Sequence, residues 1–138
     1  MKTFDVIDIS GDAGIRAYGN TLDDLFRNAA TGMYSLITDL GGIEEKRDLF
    51  IKAKCHSLDG LLVSWLNELI FNFDTYGFIG KTIEITALHD NRLASKLSGE
   101  DFDPERHERR LLIKAATYHQ LKIEKKGEYW VANVIFDI

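Results

Sequence analysis

The closing stretch Tyr129-Trp130-Val131-Ala132-Asn133-Val134-Ile135-Phe136-Asp137-Ile138 decides the fold. Trp130, Ala132, Val134 and Phe136 fall on one face of a strand, and Tyr129, Val131, Asn133 and Ile135 fall on the other. Both faces are largely apolar, which describes a central strand or one covered by helices, not a sheet edge. Lys125-Lys126-Gly127-Glu128 precedes it as a hairpin turn, so the preceding strand is expected to pair with it antiparallel. The stretch ends with an aspartate beside the α-carboxylate of Ile138, which places two carboxylates one residue apart.

Two helices are predicted further back in the chain. Leu22, Leu25, Phe26, Ala29, Ala30, Met33, Tyr34 and Ile37 form one stripe at helical spacing. Thr21 and Asp24 form a weak capping box before this helix, and Gly41-Gly42 is expected to stop it. Leu58, Leu61, Leu62, Trp65, Leu66, Leu69, Ile70 and Phe73 form the second stripe, with Ser57 as N-cap and Gly77 as terminator. Strands are expected over 4–9, 13–18, 47–56, 81–89, 110–124 and 129–138, which are rich in β-branched and aromatic residues between turn signals. Ser98 to Glu108 reads as a charged loop. The predicted class is therefore α+β, a mixed and largely antiparallel sheet system packed against two amphipathic helices, in one domain over 1–138.

The 138 residues are 45% hydrophobic and 28% charged with a single proline, a composition that excludes disordered and collagenous chains. No apolar run approaches a membrane span and the opening residues show no signal segment, so a cytoplasmic protein with no membrane partner is expected. Cys55 alternates with Ile51 and Ala53 as an inward-facing strand residue and reads as core. The net charge of −5 opposes tight direct nucleic-acid binding, because Lys and Arg contacts to phosphates supply most of such affinity. It favours a basic protein partner instead.

Asp12 lies in Ile9-Ser10-Gly11-Asp12-Ala13-Gly14, a glycine-flanked turn between two predicted strands. An aspartate capping its own turn is the ordinary reading. Beside Asp137 and the Ile138 carboxylate, however, it would complete a trio of hard oxygen donors suited to Ca²⁺, Mg²⁺ or Mn²⁺. Lys114 stands in the apolar run Ile113 to His119 and must snorkel, pair with an acid, or work on a ligand. His56, His89, His107 and His119 lack zinc-site spacing. Neither a phosphate-binding glycine loop nor a nucleophile elbow is present. Local chemistry points to a metal-binding protein without catalysis of its own.

Several spaced motifs resemble the archease family over essentially the whole chain. They are Asp12 to Gly19, Leu61 to Leu69, Gly99-Glu100 with Asp103 and His107, Ile113 to Leu121, and Val134 to Ile138. The resemblance implies that Asp12, Asp137 and Ile138 bind a divalent ion, calcium first, with magnesium and manganese as the other candidates. It implies no catalytic residue of its own, with Lys114 as a candidate contact to partner or nucleotide. It further implies an activator of the RtcB-type tRNA-splicing ligase that promotes guanylylation and multiple turnover and can alter the ligase's nucleotide specificity. A chaperone-like modulator of a tRNA methyltransferase is the alternative role associated with the family. A small metal-dependent hydrolase built on the same carboxylates is the enzymatic alternative, and it lacks an evident base. The family's early turn usually reads His-Thr-Ala-Asp, whereas Ile9 stands here in place of the histidine.

Overall fold

The structure, a computed structural model, describes residues 2–138; Met1 lies outside them. Its order is β1 (Phe4–Ile9), β2 (Asp12–Gly19), α1 (Leu22–Ile37), a 3₁₀ turn (Leu40–Gly42), β3 (Arg47–Lys54), α2 (Leu58–Tyr76), β4 (Phe78–His89), β5 (Arg92–Asp101), β6 (Ala115–Ala116), β7 (Lys122–Lys126) and β8 (Tyr129–Asp137). One sheet runs β1-β2-β8-β6, with β7 also paired to β8, and the other runs β3-β5-β4. Every pairing is antiparallel, so the sheet system is not mixed. The α1 helix packs mainly on β2 and β4, and α2 mainly on β3 with β6 at its flank. Both helices thus join the two sheets around a shared apolar core.

Both helices begin as their caps dictate. Thr21 Oγ1 accepts from Asp24 N–H, and Ser57 Oγ accepts from Gly60 N–H, satisfying amides that have no partner within the helix. The α2 helix closes on Gly77, whose φ of +79° a side chain would disfavour. The α1 helix closes earlier than Gly41-Gly42, at Thr38, and those glycines lie in the 3₁₀ turn. Leu25, Phe26, Met33, Tyr34, Leu61, Leu62, Trp65 and Leu66 are completely buried. Trp65 Nε1–H donates to the Phe26 carbonyl at 3.0 Å, which satisfies the one polar atom of the largest core side chain and links the helices. No described helix is long and apolar enough to cross a membrane.

The closing strand is central, as its two apolar faces require. Ala132, Val134 and Phe136 are fully buried on the core face, while Val131 and Ile135 are buried on the other. One edge of β8 pairs with β2 from Gly19↔Trp130 to Ala13↔Phe136. The other edge pairs first with β7 and then with β6. Gly127, at φ +65°, occupies the first position of the two-residue turn between β7 and β8.

Two strand assignments are corrected. Residues 110–124 do not form one strand: only β6 and β7 are extended and paired there. Arg110 and Leu111 N–H groups donate to the carbonyls of Ile37 and Leu36, so they serve the last turn of α1 instead of a neighbouring strand. Gln120, at φ +54°, then turns the chain before β7. Conversely, the segment read as a loop from Ser98 begins inside β5, the central strand of the second sheet, and leaves extended pairing only after Asp101.

Candidate functional site: a carboxylate corner

The last register pair between β2 and β8 is Ala13↔Phe136, both buried on the core face. Side chains alternate along a strand, so the next residues outward, Asp12 and Asp137, project together from the opposite face. Ile9 pairs with Asp12 on the β1 side, and Ala115 pairs with Asp137 on the β6 side. Ile9, Asp12, Asp137 and Ala115 therefore make one row across four strand ends. Directly opposed residues place their Cβ atoms about 4.5–5.5 Å apart, within reach of a shared ligand. Gly11, at φ +82°, makes the two-residue turn that delivers Asp12 to this row.

Asp12 is half-buried, Asp137 is exposed, and Ile138 is 40% exposed. Neither aspartate side chain has a hydrogen-bonding or ion-pairing partner among the described residues. Two adjacent carboxylates without an internal cation are mutually destabilising, and their oxygens suit a hard divalent ion. Among the described residues no group of three or more His, Cys, Asp or Glu side chains is gathered to hold a metal. A divalent ion at this corner would have these two side chains as its side-chain donors and would draw any others from main-chain or partner oxygens. Ile9 contributes no donor where a histidine would.

Lys114 stands at the same corner. Its N–H donates to the Asp137 carbonyl at 2.8 Å, which ties the chain's final peptides to the sheet. Its side chain is exposed and meets no carboxylate at ion-pair distance among the described residues. It lies beyond the two-residue β6, so the apolar strand that would force it to snorkel is absent. Asn67 of α2 fixes this segment from the other side: its Oδ1 accepts from Ala116 N–H at 2.8 Å and its Nδ2 donates to Ala116 C=O at 3.3 Å. One side-chain amide thereby replaces the strand that β6 lacks on its free edge. Asn67→Ala is expected to cost about 1–3 kcal/mol and to speed amide exchange selectively at Ala116. Unchanged protection there would show that the clamp contributes nothing.

Glu100, Asp103 and His107 form a separate, structural network. Glu100 is buried at the end of β5, yet it accepts from Glu44 N–H at 2.6 Å, from Arg106, and from His107 Nε2 at 3.2 Å. Lys46 adds a charge at 3.5 Å. Burial alone would raise the Glu100 pKa; the hydrogen bonds from Arg106, Glu44 and His107 reverse that and hold it down at about 2. Asp103 N–H donates to His107 Nδ1 at 2.8 Å, so Nδ1 carries no proton and Nε2–H is the donor to Glu100. The buried His107 is thus a neutral tie within the loop. These contacts order the segment after β5.

Fold and site together define a small antiparallel α+β protein with two aspartates and a lysine, each without a side-chain partner among the described residues, at one sheet corner. A family model described as "Archease protein family (MTH1598/TM1083)" matches residues 4–138. The chain belongs to the archease family. "Protein archease" of Sulfurisphaera tokodaii is 36% identical over 139 residues, and that of Sulfolobus acidocaldarius 34% over 139, each covering 100% of both chains. Among solved structures, the solution structure of Methanobacterium thermoautotrophicum protein 1598 covers 100% of both chains at 33% identity, with a TM-score of 0.78. The crystal structure of an archease from Thermotoga maritima, described as a possible chaperone, shares the fold at 21% identity. It covers 96% of this chain and 94% of that one with a TM-score of 0.68.

Proposed function

We propose that this protein is an accessory factor that activates an RtcB-type tRNA-splicing ligase, promoting guanylylation of the ligase and its multiple turnover without catalysing a reaction itself. The observation that carries this reading is the row of unpaired Asp12 and Asp137 beside an equally unpaired Lys114. Asp12, Asp137 and the Ile138 carboxylate would hold a divalent cation, calcium before magnesium or manganese. When bound, that ion supplies positive charge for triphosphate oxygens. Lys114 orients the same phosphates through its ammonium, and the two aspartates fix where the charge sits. The same placement would let the corner influence which nucleotide the ligase accepts. The net charge of −5 suits a basic, RNA-handling partner.

The test is covalent guanylylation of purified ligase with and without this protein. Stimulation is expected of the chain ending at Ile138 and is expected to be lost when a short polar extension follows that residue, because the carboxylate becomes a neutral peptide. Absence of stimulation by the native protein would reject the reading. Full stimulation by the extended protein would remove Ile138 from the ligand set.

A chaperone-like modulator of a tRNA methyltransferase is the second reading. It is favoured by the exposed apolar side chains of Leu112 and Tyr118 on either side of β6, 61% and 63% accessible, which suit protein contact. Recovery of a methyltransferase and no ligase in co-purification would favour it.

A further inference from the structure

The outward face of the β3-β5-β4 sheet carries a charge pattern that neither the core nor the carboxylate corner uses. Lys54↔Arg92 and Arg92↔His89 are register pairs, so three basic side chains stand in one row across all three strands. Their neighbours Ala53, Leu93 and Leu88 form the adjoining inward row that packs on the core. Lys52 lies one row along on the outward face, opposite Ala94 and Ala87, whose small side chains leave it unobstructed. Phe50 follows on the same face and is 72% exposed. Lys52, Lys54, Arg92 and His89 line a common basin that also takes in Ala53 and Leu93 of the inward row and Ser64 and Glu68 of α2, Glu68 being its one carboxylate; Phe50 stands outside it.

Like charges directly opposed across strands are destabilising, so this row opposes folding in the absence of an anion. Glu84 stands opposite Lys96 in the same row as Phe50, and one row further Asp48 approaches Lys96 at 3.7 Å and accepts from Ser98, so the acids on this face begin at the Phe50 row and none stands among Lys52, Lys54 and Arg92. His89 adjoins Asp90 at 3.3 Å, whereas Lys52, Lys54 and Arg92 form no ion pair among the described residues. An excess of cations is therefore concentrated on one end of one face of a protein whose net charge is −5.

We infer that this face binds single-stranded RNA. Same-face residues on a strand are spaced about 7 Å apart and neighbouring strands about 4.8 Å, so Lys52, Lys54 and Arg92 form a cationic track. Phe50 supplies, two residues from Lys52, the aromatic surface on which an unpaired base stacks. A basic groove joined to an exposed aromatic on a sheet is the arrangement that holds single strands without base-specific hydrogen bonds. An acidic protein segment would engage the cations but has no use for Phe50. The choice of RNA over other single strands rests on the ligase reading above; the face itself is separate from the carboxylate corner. Three phosphate contacts give weak binding, consistent with the acidic whole.

The experiment is fluorescence anisotropy of the full chain alone, with a labelled single-stranded RNA oligomer at low salt. Binding is expected to weaken on the order of 20-fold between about 50 and about 200 mM salt, the slope for about three neutralised phosphates. Lys54→Glu with Arg92→Glu is expected to weaken it by about 10-fold or more. Phe50→Ala is expected to weaken RNA binding by about 10-fold while leaving inorganic polyphosphate, which has no bases, bound as before. Asp12→Ala should bind RNA as the parent does. Each variant is compared by thermal melting; Phe50, Lys54 and Arg92 are exposed and Asp12 is half-buried. Absence of RNA binding at low salt overturns the inference, as does undiminished binding by the charge-reversed protein or tighter binding of a polyglutamate peptide than of RNA. Because no ligase is present, failure here leaves the guanylylation reading intact, and failure of ligase stimulation leaves this one intact.

Discussion

Asp12→Ala and Asp137→Ala are each expected to abolish stimulation of ligase guanylylation while leaving the protein folded. The two side chains project from strand ends, away from the core, and neither bonds to another described residue. Substitutions of this kind ordinarily change stability by no more than about 0.5 kcal/mol. Relief of repulsion between the carboxylates works in the stabilising direction. The functional effect is much larger because the corner has only two side-chain donors. Loss of a residue that merely orients a ligand already costs about 10- to 100-fold in metal affinity, and loss of a direct ligand should exceed that. Asp12→Asn isolates the charge, since it keeps shape and one acceptor oxygen. The double variant should be no worse than either single one, because both remove the same bound ion. Calorimetric titration of Ca²⁺ and Mn²⁺ separates loss of metal from loss of partner docking. Parent-like stimulation by both single variants, with melting temperatures unchanged, would sink the metal-corner mechanism.

The corner was legible because it follows from two strong local signals. A glycine turn puts Asp12 at a strand start, and a doubly apolar strand puts Asp137 at a strand end. What one sequence could not supply was the pairing of β2 with β8, a contact between segments more than a hundred residues apart. The helices were legible for the same local reason: stripes at helical spacing preceded by Thr21 and Ser57. The β5 strand was missed because Arg92-Leu93-Ala94-Ser95-Lys96-Leu97-Ser98-Gly99 is poor in β-branched and aromatic residues. Its small residues are a requirement of its central position. A Cβ on Gly99 would collide with the Ile79 carbonyl oxygen, and Ser95 is buried with its hydroxyl donating to the Ile51 carbonyl. A usable signal stood just before it: Asp90-Asn91, both at positive φ, is the two-residue hairpin turn between His89 and Arg92. Residues 110–124 misled in the opposite sense, since propensity cannot reveal that Arg110 and Leu111 donate to a helix end.

Glu100→Ala should destabilise the fold by about 2–5 kcal/mol, because the Glu44 N–H and the His107 Nε2–H both lose their acceptor, a large share of the roughly 5–15 kcal/mol typical of a whole protein. Arg106 and Lys46 would lose their shared counter-charge, and the N–H groups of Glu44 and His107 Nε2 would lose their acceptor. Glu100→Gln should cost less, about 1–3 kcal/mol, because its carbonyl oxygen still accepts while the ionic contribution is gone. The pH dependence identifies the carboxylate. Its folded pKa of about 2 lies below the unfolded value of 4.5, so its contribution is fully present above the unfolded value and is lost as pH falls through the folded one. Urea melts of the parent from neutral pH to below pH 3 should show stability falling through that window. The Gln variant, less stable at neutral pH, should fall less steeply there; parallel curves would remove Glu100 as the source. Because the network lies apart from the carboxylate corner, the folded fraction of either Glu100 variant should stimulate the ligase as fully as the parent does. That pairing, lost stability with retained stimulation, is the inverse of the pattern expected for Asp12 and Asp137 and distinguishes residues that hold the fold from those proposed to bind the metal.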